Sequence, residues 1–428
     1  MNKIELPYGK ATISLHLPED RSYSVIAPNA IVSSKKIFDQ LQRVIDMPLA
    51  AFSLATIKKN AKIAIAINDK TRPVPNNLLL PPLLDKLSAL GFRPAQITFF
   101  IASGTHTPMP KEEFSLILPD DIIKDYQVIA HDCDNASMLD LGQTSRGTPI
   151  LVNAAFARAD VKMVVGNIEP HHFMGYSGGV KSAAIGLTGR ETINRNHAML
   201  TEKQTISGSF SQNPMRQDVE EIGQRIKVHY ALNTVLDENK KIVDVFFGEP
   251  LAVMQAAIPL VNRIYTVPVQ HEYDLVIVSP GGYPKDINLY QAQKALTHAA
   301  RITKDSGLVI LLAACPEGAG SDRFETYLHS KSSYQQIFAE FSTETFSVGP
   351  HKAFQIARDA VRTHILLVSD MPEEFVQSLY LEPCSPKLVN TKLNQILDSL
   401  SPSSQIAIMP MGTTTIPLLK MKKDKQHE

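Results

Sequence analysis

"AKIAIAIND", residues 61–69, decides the fold. It is a short, nearly continuous apolar run that breaks into polar residues at its carboxyl end. A strand of this kind is buried on both faces, which parallel sheets require and half-solvated antiparallel sheets do not. "NNLLLPPLLDKLSALG" (76–91) follows and reads as a helix with prolines near its start. "QITFFIASGTH" (96–106) and "VKMVVGNIEPHH" (161–172) repeat the strand-to-polar-loop theme. The pattern restarts with "YDLVIVSPGG" (273–282), a helix over "INLYQAQKALTHAARIT" (287–303), and a strand and loop in "GLVILLAACPEGAG" (307–320). Helices near 333–342, 351–363 and 385–400 and the strand "HILLVSD" complete it.

Apolar strands alternating with amphipathic helices predict an α/β fold: two α/β domains with mainly parallel sheets and an active-site cleft between them. "VNRIYTVPVQHEY" (261–273) marks the division, giving domains at 1–268 and 269–428. "HYALNTVLDENKKIVDVFFG" (229–248) departs from the theme and reads as a hairpin turning near Asp237–Asn239. The N-terminus alternates polar and apolar like a strand. The tail "KMKKDKQHE" is expected to fray.

The 428 residues carry 43 basic and 43 acidic side chains, so no net charge draws the chain to nucleic acid or to an anionic membrane. No apolar run nears the roughly 20 residues that span a bilayer. The N-terminus lacks a secretory apolar segment. Cys133, Cys315 and Cys384 are far apart and form neither a disulfide framework nor a CxxC site, which suits a reducing cytoplasm.

In open α/β sheets ligands sit beyond the carboxyl ends of strands. Four unusual loops fall there. "NDKTRP" (68–73) carries Asp69, Thr71 and Arg72; the arginine suits a carboxylate or phosphate held through two N–H bonds, or equally a turn salt bridge with Asp69. "SGTHTP" (103–108) projects His106, a loop histidine that is either solvated or functional. "HHFMGYSGGVKSAAIG" (171–186) holds His171, His172, Ser177, Gly178, Gly179 and Lys181. It is no nucleotide P-loop, because Val180 stands where the glycine before the lysine is needed. A helix opening at "SGGVKSAAIG" would place Lys181 at the end where the dipole disfavours a cation, which suggests a task for it. His197 lies in a polar helix after the Gly186–Gly189 break. "GGYPKDINLYQAQKA" (281–295) puts Tyr290 and Lys294 on one helix face with Gln291 beside them, either a receptor for a small anion or a plain exposed face. "HDCDN" (131–135) resembles a metal cluster, but its spacing matches no standard site and it reads as a solvated loop. Together the four loops are cationic and rich in imidazole, which suits a small carboxylate substrate.

"DKTRPVP", "SGTHTP", "EPHHFMGYSGGVKS", "NRNH" and "GGYPKDINLYQAQKA", in this order across residues 69–295, resemble the nickel-dependent lactate racemase family. The resemblance implies a nickel-pincer nucleotide, a pyridinium mononucleotide whose two thiocarboxyl arms hold nickel. It implies that Lys181 is joined to this cofactor and that His197 is the protein ligand to nickel. It implies that His106 and His171 are the acid/base pair and that Arg72 binds or polarises substrate. Asp69 and Thr71 fall in the cofactor-binding first motif, Ser177, Gly178 and Gly179 near the cofactor phosphate, and Tyr290, Gln291 and Lys294 among the substrate and cofactor contacts. His172 has no assigned role. The implied activity is racemisation or epimerisation of a 2-hydroxy acid, with cofactor-biosynthesis proteins as loading partners and with protein from some hosts lacking the cofactor. A non-catalytic cofactor-binding protein is the alternative. A metal-dependent hydrolase ranks below it, because no HExxH-like ligand set is present.

Overall fold

The computed structural model describes residues 2–29, 36–72, 74–237, 240–344 and 346–419. Two compact units emerge. One runs from Ala30 to Ile264; the other joins the chain up to Asn29 to everything from Tyr265 onward. The mid-chain boundary lies between Ile264 and Tyr265. The first 29 residues, which the sequence reading counted with the first domain, group with the second unit instead.

The physical reason is a hairpin. Strands Asn2–Tyr8 and Ala11–Leu17 pair antiparallel. Their apolar side chains Leu6, Ile13, Leu15 and Leu17 are buried in one core with Leu275, Ile277, Ile310 and Leu312. Two strands alone cannot bury that face, so it is spent on the sheet of the C-terminal unit. Backbone N–H groups of Gly9 and Ala314 both donate to the buried Asp286 carboxylate, at 2.6 and 3.3 Å.

That sheet has six strands in the order Glu382–Cys384, His364–Val368, Thr303–Leu312, Tyr273–Val278, Ile406–Met409, Ser24–Val25, and every pairing is parallel. Its faces alternate as a parallel sheet demands. Val276 and Val278 join the core beneath helices Leu289–Ala300 and Pro350–Ala360, while Leu275 and Ile277 join the hairpin and helix Val389–Ser399.

The other unit carries six strands in the order Ile242–Gly248, Tyr230–Leu236, Val161–Asn167, Ile63–Asn68, Ile97–Ala102, Gln127–Ala130. All pairs are parallel except the first, which is the expected hairpin. Glu238 and Asn239 of its turn, and the charged tail beyond Leu419, lie outside the described residues. One face packs on helices Ile37–Asp46 and Asn76–Ala89. The loops leaving the carboxyl ends of Ile63–Asn68, Ile97–Ala102 and Val161–Asn167 carry the residues of interest. Among the described residues no helix is long and apolar enough to cross a membrane.

Candidate active site

Strand Ile63–Asn68 delivers Asp69 to the sheet edge, where it is buried. Thr71 turns back on it: the Thr71 amide donates to Asp69 Oδ1 at 3.1 Å and its hydroxyl to the same oxygen at 2.6 Å. The other carboxylate oxygen, Oδ2, lies 2.7 Å from His106 Nδ1. Burial works to raise the Asp69 carboxyl, but the hydrogen bonds from His106 and Thr71 outweigh it and hold the group below the usual aspartate range. Of the two readings of Arg72, the turn salt bridge with Asp69 is not what forms: the Asp69 carboxylate meets Thr71 and the His106 ring instead. His106 itself is half-exposed, one turn beyond strand Ile97–Ala102.

Arg72 points elsewhere. Its Nη2 lies 3.4 Å from His171 Nε2. His171 is buried, stacked on His172 at 4.7 Å between ring centroids and met edge-on by Phe173 at 4.7 Å. The Met174 amide donates to its Nδ1 at 3.3 Å. Phe173 also meets the His197 ring edge-on at 5.4 Å, so one phenyl group links the two histidine loops. His172, without a role from sequence, is a stacking partner here.

His197 sits on helix Arg190–Ala198. Its Nδ1 lies 2.9 Å from the Ile193 carbonyl one turn earlier, a contact that needs the proton on Nδ1 and leaves the lone pair on Nε2. Burial, reinforced by the charges of Lys181 and Arg72, pushes the ring's pKa down to about 3, against the opposing pull of the Ile193 carbonyl. Such an imidazole stays neutral and fit to ligate.

Lys181 opens a helix of one turn, Lys181–Ala184. This corrects the expectation of a helix with a useful dipole: four residues sum too few peptide units to matter. Shielding explains Lys181 better. Desolvation, then the like charges of Arg72 and Arg216, drive its amine well below the usual lysine range, against Glu169 and Asp69. The lowering favours the neutral form of the amine, which is its nucleophilic form.

The glycine loop before Lys181 is held by its own polar groups and by two neighbouring elements. Ser177 Oγ donates to the Asn167 carbonyl at 2.9 Å and accepts the Glu169 amide at 3.0 Å. The Gly179 amide donates to Asn233 Oδ1 at 2.7 Å. Gly178 has φ +78°, and a Cβ there would lie 2.4 Å from Ile168 Cγ1. These groups fix the loop whatever it binds. Arg216, fully buried, completes the clamp: it donates to the carbonyls of Tyr176 at 2.9 Å and Gly178 at 3.1 Å, and pairs with Glu220 at 2.5 Å. Nothing in the sequence singled out Arg216. Its i,i+4 spacing to Glu220 is ordinary for a helix, and only burial gives it meaning.

"HDCDN" is a structural loop, but not a wholly solvated one. His131 is fully buried, bonded to the Thr188 carbonyl at 3.1 Å and to Asn153 at 3.2 Å. Asp134 pairs with Arg190 through two bonds of 2.6 Å. Among the described residues no three His, Cys, Asp or Glu side chains are grouped to hold a metal.

In the C-terminal unit, Tyr290, Gln291 and Lys294 lie on helix Leu289–Ala300, capped by Asn288. Lys294 donates to Gln291 Oε1 at 2.6 Å. Tyr290 is half buried, and the loss of water raises its hydroxyl to about 12. Its ring packs edge-on to Phe324 and His351 and carries the ammonium of buried Lys352 5.0 Å from its centroid. The face is therefore partly buried rather than plainly exposed.

Residues 8–208 match the lactate racemase N-terminal domain and residues 269–416 the lactate racemase C-terminal domain. The chain belongs to the lactate racemase family. It is accordingly an isomerase of the racemase type. It is 28% identical to the lactate racemase of Lactiplantibacillus plantarum over 426 residues, covering 97% of this chain and 100% of the relative. The lactate racemase apoprotein structure from Thermoanaerobacterium thermosaccharolyticum superposes with a TM-score of 0.90 at 28% identity, covering 97% of this chain and 100% of that one. A Thermotoga maritima protein shares the fold more distantly, with a TM-score of 0.62 at 17% identity over 92% of this chain.

Proposed function

We propose that this member of the family inverts Cα of a 2-hydroxy acid with a nickel-pincer nucleotide bound at Lys181 and His197. The observation that carries the reading is the meeting of the site loops: Arg72 Nη2 lies 3.4 Å from His171 Nε2, and Phe173 meets both the His171 and the His197 rings edge-on. Burial lowers the Lys181 amine and the His197 imidazole alike, the direction that attachment and metal ligation favour. His197 would hold the metal through Nε2, and Lys181 would bond to the cofactor through Nζ.

When bound, the metallated pyridinium supplies an acceptor for a hydride from Cα, which avoids building a carbanion beside the substrate carboxylate. The chain's own residues handle the proton and the charge. The two enantiomers present their hydroxyl in different directions, so His106 and His171 share the work: one removes the hydroxyl proton and the other returns it, and the roles reverse for the opposite enantiomer. Arg72, beside His171, steadies the oxygen that loses the proton. We assign Gln291 and Lys294 a share in substrate binding, to be tested separately. Loading of the site depends on partner proteins that make the cofactor.

The test is a panel of enantiopure 2-hydroxy acids, from lactate through aromatic acids and dicarboxylates to sugar acids, assayed with cofactor-loaded protein. One or more should lose optical activity, with about one nickel per chain. Loaded protein that inverts none of them would sink the proposal.

A further inference from the structure

Two imidazoles are asked to move protons, and they are fixed by different means. His171 is buried and wedged between His172 and Phe173. His106 is half-exposed on a loop, with the Asp69 carboxylate at 2.7 Å and the Thr71 hydroxyl at 3.5 Å from its Nδ1. A free imidazole there would turn about its side-chain bonds and interchange tautomers, and neither state aims one nitrogen at a fixed point. What meets it is Asp69, and Asp69 is itself prepared: the Thr71 amide and hydroxyl both occupy Oδ1, so the carboxylate plane is set and Oδ2 is the oxygen left for the ring.

We infer that Asp69, oriented by Thr71, is the positioning residue of His106, holding the imidazole with its proton on Nδ1 and presenting Nε2 as the nitrogen that exchanges a proton with substrate. Asp69 and Thr71 are thereby moved from the cofactor, where family resemblance put them, to the acid/base machinery. The inference rests on the racemase reading for the role of His106, but its geometry does not.

The arrangement makes a sharp demand on Asp69→Asn. Two donors from Thr71 claim the single oxygen of the new carboxamide. Its NH2 group must then face the ring, and a donor facing Nδ1 forces the proton to Nε2. The tautomer inverts rather than relaxes, the effect known when the aspartate of a serine-protease triad is made asparagine.

The experiment uses cofactor-free, full-length protein labelled with 15N-histidine, with His106 assigned through His106→Gln. At about pH 9, where a histidine of ordinary pKa is neutral, the wild type should show His106 protonated at Nδ1 and unprotonated at Nε2. Asp69→Asn should show the reverse. Thr71→Val should shift the His106 Nδ1 resonance, and Thr71→Ser should restore it. These two variants carry the test alone should Asp69→Asn fail to fold. In loaded enzyme, Asp69→Asn should lower kcat about 100-fold or more in both directions, with KM within a few-fold and the mass added at Lys181 retained. A wild-type His106 protonated at Nε2, or a tautomer indifferent to Asp69→Asn and Thr71→Val, overturns the inference. Absence of any racemisation in loaded wild type removes the functional proposal while the tautomer result stands.

Discussion

His197 and His298 are near twins. Each donates Nδ1–H to a backbone carbonyl, Ile193 at 2.9 Å and Gly412 at 2.7 Å. Each is pushed down to about 3, first by burial and next by neighbouring cations: Lys181 and Arg72 for one, Arg301 and Arg358 for the other. The Nε2 of His298 is buried and meets no hydrogen-bond partner among the described residues. A neutral imidazole with its lone pair on Nε2 is therefore no signature of a metal ligand by itself. The neighbours separate the two. His197 shares its surroundings with the Lys181 amine, an arginine and a second histidine loop. His298 is sealed between its own helix and the Gly412 turn, in the core of a sheet-covering layer.

That contrast can be broken by experiment. The largest effect should come from Lys181→Ala, which removes the mass added to loaded protein entirely, while His298→Ala leaves it in place. Mass added to the Lys181→Ala chain would end the pairing of Lys181 with His197. Next, His197→Ala should cut nickel retention at least about 100-fold in a metal-competition assay, and His298→Ala should not change it. Equal losses would make the twins functional equals.

Stability should rank them the other way. His298→Ala leaves a cavity and an unpaired Gly412 carbonyl, at a cost of about 2–3 kcal/mol in denaturant unfolding, whereas His197→Ala should cost under about 1 kcal/mol. The last effect is read as a slope in acid rather than as a single loss. His298 is depressed in the folded state, so below the ordinary value of about 6.5 the unfolded chain takes up a proton that the folded chain refuses. Stability then falls with falling pH, by about 1.4 kcal/mol per unit for this one group, until pH nears its folded value of about 3. His298→Ala should flatten that limb. An unchanged slope would mean that His298 takes up its proton without unfolding.

Much of the fold was legible. The parallel strands announce themselves because burial on both faces forbids polar alternation, and "AKIAIAIND" became Ile63–Asn68 with little change. The placement of residues 2–29 was not legible, because a hairpin's apolar face does not name the sheet it will cover. The site loops were legible as polar breaks at strand ends. Their internal bonding was not: Asp69 met His106 rather than Arg72, Ser177 turned its hydroxyl on the start of its own loop, the Gly179 amide met Asn233 of a neighbouring strand, and Arg216 came from a helix that carried no signal.

The sequence by itself determined the strand and helix order, the loops that hold chemistry and the family, because these depend on residue type and local spacing. Only the tertiary structure decided which imidazole rests on a carboxylate and which beside a guanidinium, and which lysines and histidines are pushed toward their neutral forms. Desolvation and hydrogen-bond direction arise from atoms far apart in the chain, and no local pattern encodes their meeting.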